Sequence, residues 1–203
     1  HKIIIKDIIL NHYPDLNKSR SNYLPLLEMS VKEDPNDDRN MHYLGREYMY
    51  HQKYNEAIDT LIKHLNLKTA TWKDERAASM RFIGRCYSNL ERYEEAILWY
   101  KKAIKEAPYL RDAYVELAIL YHKLNKNTKV IYYTNKALSI KNKNMTYINE
   151  IFSWDNTIYD IRSIAFYNMG KYKASLKNIN IAISMDKTNE RLINNKKIIE
   201  RNI

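Results

Sequence analysis

Apolar residues recur at three- and four-residue spacing from Ser21 almost to the end of the chain, as in Ala96, Tyr100 and Ala103, with polar residues between them. That period gives a helix a continuous buried stripe and predicts helix after helix. Punctuation is sparse, with three glycines and four prolines. The expected class is all-α.

Self-comparison sharpens this. Tyr43 to Leu61 and Phe82 to Tyr100 align without a gap, and each reads apolar-Gly-Arg-x-Tyr, five residues, then Tyr-x-Glu-Ala-Ile. Two of the three glycines, Gly45 and Gly84, fall at the same place in the two copies. Glycine inside a helix costs about 1 kcal/mol relative to alanine, so a repeated placement calls for close helix packing.

These residues resemble the tetratricopeptide family, whose unit of about 34 residues pairs two helices and places bulky, small and aromatic side chains at fixed positions. A unit from Ala77 supplies Met80, Ile83, Gly84, Tyr87, Ala96, Tyr100, Ala103 and Pro108 in that order. A unit from Asp38 has His64 where alanine is expected. One from Arg111 departs at Val130 and Thr134, and one from Asn156 places Arg162 at an apolar position. The resemblance implies a right-handed superhelix with repeats near 38–71, 77–110, 111–144 and 156–189. Ser21 to Pro35 reads as an N-terminal half repeat and 188–203 as a C-terminal capping helix. It also implies that the residue at position 8 of each unit faces that at position 20: Gly45 with Ala57, Gly84 with Ala96, Ala118 with Val130, Ser163 with Ser175. Residues 72–76 and 145–155 are additional to the repeat, and such insertions either widen a superhelix or shape a binding surface. Residues 1–20 fit no repeat and read as a strand and loop left from a preceding domain or linker.

The order of these segments is also similar to the repeat region behind the catalytic domain of bacterial family 2 glycosyltransferases. That likeness implies an accessory module for acceptor recognition or self-association. A divalent metal and a nucleotide-sugar would belong to an upstream domain, with His12 as a candidate metal ligand. The alternative is a free-standing adaptor for a protein partner.

Composition narrows the chemistry. The formal charge of +10 is spread along the chain without a block, which suits solvated helix faces better than a nucleic-acid stripe. The single cysteine, Cys86, excludes an internal disulfide and fits a reducing cytoplasm. Neither a membrane span nor a signal peptide is legible. No Asp-x-Asp, glycine-rich phosphate loop, Gly-x-Ser-x-Gly elbow or His-Glu-x-x-His pair occurs, so neither a catalytic site nor a cofactor is expected in these residues. Asp34, Asp37 and Asp38 around Pro35 read as turn and cap residues. The family resemblance places Arg39, His42, Arg46, Tyr50, Arg81, Arg85, Asn89 and His122 on a concave groove. Arginine forks there suit an acidic peptide segment, the alternative being arginines that pair with Glu47, Glu116 or solvent. A homo-oligomer is compatible with the same surface.

Overall fold

The computed structural model describes residues 23–143 and 146–203. His12 and the expected remnant at 1–20 lie outside the described residues. Ten α-helices occur among the described residues: α1 Tyr23–Glu33, α2 Asp38–Tyr50, α3 Tyr54–Asn66, α4 Lys73–Asn89, α5 Tyr93–Glu106, α6 Asp112–Lys123, α7 Asn127–Ser139, α8 Thr157–Asn168, α9 Tyr172–Met185 and α10 Glu190–Glu200. The antiparallel pairs α2/α3, α4/α5, α6/α7 and α8/α9 stack in chain order, flanked by α1 and α10. Each first helix also packs on the next first helix, so α2, α4, α6 and α8 form an inner layer.

The turn within each pair fixes the repeat register. Gln52, Glu91, Asn125 and Gly170 are equivalent in the four units, and all adopt a left-handed conformation with φ of 60°, 58°, 55° and 69°. The following N–H closes the helix end by donating to a carbonyl five residues back: Lys53 to Tyr48, Arg92 to Tyr87, Lys126 to Tyr121 and Lys171 to Phe166, each at 2.9 Å. This is a Schellman closure, repeated four times. Only the fourth unit uses the residue that adopts the conformation without strain.

Close packing within the pairs has a partner that the pattern did not reveal. A Cβ on Gly45 would lie 2.5 Å from Leu61 Cγ, and one on Gly84 would lie 2.9 Å from the Tyr100 ring. The glycines therefore make room for the large residue at position 24. In the fourth unit the expected pair meets directly. Ser163 Oγ donates to Ser175 O at 3.0 Å and Ser175 Oγ to Ser163 O at 2.8 Å.

Departures from the repeat turn out to be paired. Arg162, at an apolar position of the fourth unit, donates to Thr134 Oγ1 at 2.8 Å, itself a departure in the third unit. Thr134 in turn donates to the carbonyl of Val130 at 2.7 Å. His64, in place of alanine, reaches the hydroxyl of Ser79 at 2.9 Å. Each of these three departures is thus met by a polar group of another helix, as burial favours. The acidic cluster behaves as turn chemistry: Asp34 Oδ1 accepts from Asn36 N, and Asp37 Oδ1 caps α2 by accepting from Asn40 N at 2.9 Å.

Candidate functional site

The additional residues 72–76 are mostly helix. They lengthen α4 to 17 residues, against 13 in α2 and 12 in α6, and so place Glu75 in an added first turn. The second insertion does not project outward. Its described part folds back over the inner layer as a tight turn, Thr146 to Asn149, closed by Asn149 N–H to Thr146 O at 3.2 Å and Thr146 N–H to Asn149 Oδ1 at 2.7 Å.

The floor beneath this turn is polar and specific. Glu116 on α6 is buried and accepts a two-pronged guanidinium from Arg85, Nε to Oε2 at 2.9 Å and Nη2 to Oε1 at 2.8 Å. Arg81, 2% exposed, donates to the same carboxylate and to the carbonyl of Ile148 at 2.5 Å. Glu150 completes the cluster by accepting from Arg85. Asp112 takes two hydrogen bonds from the turn, from Glu150 N–H at 2.7 Å and Asn149 Nδ2 at 2.9 Å. Tyr147 donates its hydroxyl to Glu75, and its ring lies 5.7 Å from Trp72 and 5.9 Å from Tyr43. Ile148 is buried among Met49, Phe82 and Ile83. Outside the floor, Arg111 ties the end of α7 to the far part of the insertion, through Ile140 O at 2.5 Å and Ser153 O at 3.3 Å, and stacks on Trp154.

The electrostatics follow from this geometry. Burial opposes ionisation of Glu116, but Arg85 and Arg81 outweigh it and hold the carboxyl below its ordinary range. Burial likewise opposes the charge on Arg85, and Glu116 and Glu150 more than restore it. Burial and the bond to Glu75 both push the Tyr147 hydroxyl up, so it stays a donor.

The eight residues expected on the groove separate into groups. Arg81 and Arg85 form the floor. His42 is fully buried, bonded through Nδ1 to Ser79 Oγ at 2.7 Å, so it does not face a groove ligand in this structure. Position 5 explains why: His42, Arg81 and Asp160 all reach forward to the next first helix in the stack, and burial by that neighbour is invisible within one unit. Arg46 is half-buried over the Tyr43 ring at 4.9 Å. Arg39, Tyr50 and Asn89 are exposed, and His122 is half-buried. Glu116 was expected as a partner of the groove arginines and is one, whereas sequence reasoning missed Glu75, Asp112 and the turn itself as parts of the same site.

Two other chemistries were tested. Asp38, His64 and Glu75 bring ligand atoms within 4.8 Å of one another. His64 Nε2 lies 3.5 Å from Glu75 Oε1, and Nδ1 is bonded to Ser79 Oγ at 2.9 Å, so both ring nitrogens face groups of the protein itself. Cys86 is fully buried, and burial raises its thiol to about 12, which suits packing and not attack. Among the described residues, no helix is long and apolar enough to cross a membrane.

Comparison with known proteins settles the architecture. Residues 77–110 match the tetratricopeptide repeat model, and solved repeat structures superpose over most of the chain. The fold is a tetratricopeptide array. MamA is similar at 21% identity over 89% of this chain and 99% of its own, with a TM-score of 0.65. YrrB, described as a tetratricopeptide protein with an unusual peptide-binding site, is similar at 17% identity over 85% of this chain and 81% of its own, with a TM-score of 0.64. The transcription factor tau 131 kDa subunit of Saccharomyces cerevisiae is 38% identical over 74 residues, which are 36% of this chain and 7% of that protein.

Proposed function

We propose that this chain is a protein-interaction module whose concave face receives a peptide segment bearing a carboxylate. The observation that carries the reading is that the floor engages main chain and side chain together. Arg81 takes a peptide carbonyl, Asp112 a peptide N–H and Arg85 an acid. Capture of both polar groups of a backbone is how a groove recognises peptide in general, with side-chain pockets adding selectivity. The description of YrrB as having a peptide-binding site supports the same class of role. The matches above rest on the repeat and not on a glycosyltransferase, so the free-standing adaptor is preferred to the accessory region of such an enzyme.

Binding of an acidic peptide library to the parent chain and to an Arg46→Ala, Arg85→Ala variant, read by fluorescence anisotropy, tests this. Loss of a charge-assisted contact predicts about tenfold weaker binding. Equal binding by both proteins at low salt would sink the reading.

A further inference from the structure

We propose that residues 146–150, Thr-Tyr-Ile-Asn-Glu, are an intramolecular ligand that occupies the peptide groove and yields it to a partner segment with the same aromatic, aliphatic, amide, acid order. The inference rests on the reading of the concave face as a peptide groove and adds what the groove selects and what guards it.

Charge is the first argument. Arg81 and Arg85 share the carboxylate of Glu116 on the inner layer, and Glu150 of the inserted segment brings a second carboxylate to the same two guanidinium groups. The second argument is matched chemistry at every residue of the turn that meets the floor. Tyr147 gives its hydroxyl to Glu75, Ile148 fills the apolar recess beside Phe82 and Ile83, Asn149 gives its amide to Asp112, and Glu150 takes Arg85. A loop that merely lay across a surface would not present four different side chains to four fitting partners. The third argument is how the segment is held. Arg111 fastens Ile140 and Ser153 outside the floor, so the tip can lift while both ends stay attached. A short tether gives the segment an effective concentration in the millimolar range, enough to exclude weak ligands and admit a good one.

The test uses the whole chain and a fluorescein-labelled peptide of residues 146–153, against the parent and a Tyr147→Gly, Ile148→Ser, Glu150→Gly variant. The variant is expected to bind the peptide about tenfold more tightly than the parent, because the tethered competitor is gone. Peptides carrying Ile→Asp or Glu→Gln at the positions of Ile148 and Glu150 should lose that gain. In the parent, saturating peptide should speed amide hydrogen exchange at residues 147–150, a readout that does not depend on the variant folding. A variant of unchanged helical circular dichroism that binds no better than the parent would overturn the proposal, as would unchanged exchange in the parent. If acidic library peptides then still bind both proteins through Arg85, the groove stands and only the intramolecular ligand falls. If neither protein binds any peptide, the groove itself falls. Parent dimers that vanish when the turn is substituted would place the segment in a second copy and overturn the intramolecular assignment.

Discussion

The two ends of the concave face are built on opposite principles. From α2 to α6 the inner layer, with His64 of α3, carries a set of buried polar groups, among them His42, Glu75, Ser79, Arg81, Asp112 and Glu116, and a turn of the chain lies over them. Around α8 and α10 the wall is mainly Ile164, Tyr167, Ile198 and Ile199 with Ser163 and Asn195, enclosing a cavity of about 240 Å³. There the one buried acid of the inner helix, Asp160, is met from the cap by Arg191, at 3.1 and 2.6 Å. Charge placed inside a protein must be answered by charge and hydrogen bonds, and an apolar wall makes no such demand. The polar end is therefore the end where sequence beyond the repeat was needed to finish the structure.

The contrast can be broken most sharply at Glu116. Glu116→Gln leaves two guanidinium groups sharing Glu150 alone, and loss of one partner from a buried ion cluster costs about 3–5 kcal/mol. Urea unfolding should show a loss of that order, with hydrogen-exchange protection falling first in α4 and α6. An unchanged midpoint would mean that the cluster contributes little to the polar end.

An intermediate effect is expected from acid. Burial lowers His42 from 6.5 to about 3, with His64, Arg46 and Arg81 also disfavouring its charge and Glu75 favouring it. The unfolded chain therefore binds a proton that the folded chain refuses between those values. Stability from this group is complete above pH 6.5 and declines as pH falls toward 3, by about 1.4 kcal/mol per unit at most. Urea midpoints at pH 7.5 and 5 should differ by more in the parent than in a His42→Asn variant. Equal slopes would remove His42 as the cause.

The smallest change belongs to the other end. Ser163→Ala removes one of two reciprocal hydrogen bonds at the crossing of α8 and α9 and produces the residue type found at the equivalent Ala118. A net loss of about 1 kcal/mol is expected, read as a lowered melting temperature with binding at Arg85 unaltered. A larger effect on binding than on stability would show that the two ends communicate.

What could be read from the sequence was what a single unit contains. Gly84, Tyr87, Ala96, Tyr100 and Ala103 mark one helix crossing, and repetition of that set placed four pairs, a leading half repeat and a cap. The site was only partly legible, because its members lie far apart in the chain: Arg81 meets Glu116 and Ile148, and Glu75 meets Tyr147. His42 and Arg46 share a helical face by spacing, yet the neighbouring repeat buries the first and only half covers the second. Departures from the repeat carried the missing signal. His64, Thr134 and Arg162 looked like decay one at a time, whereas each has a polar partner in another helix.

The two insertions, more than seventy residues apart in the chain, meet each other. Trp72 and Glu75 exist at their height only because α4 gained a turn, and Tyr147 needs both. Structurally the extra turn and the inserted segment are one unit. A lineage that lost the extra turn would leave the inserted segment without its anchor, and one that lost the segment would leave Glu75 buried without its phenol. Removal of either insertion alone is therefore expected to destabilise the array more than removal of both together.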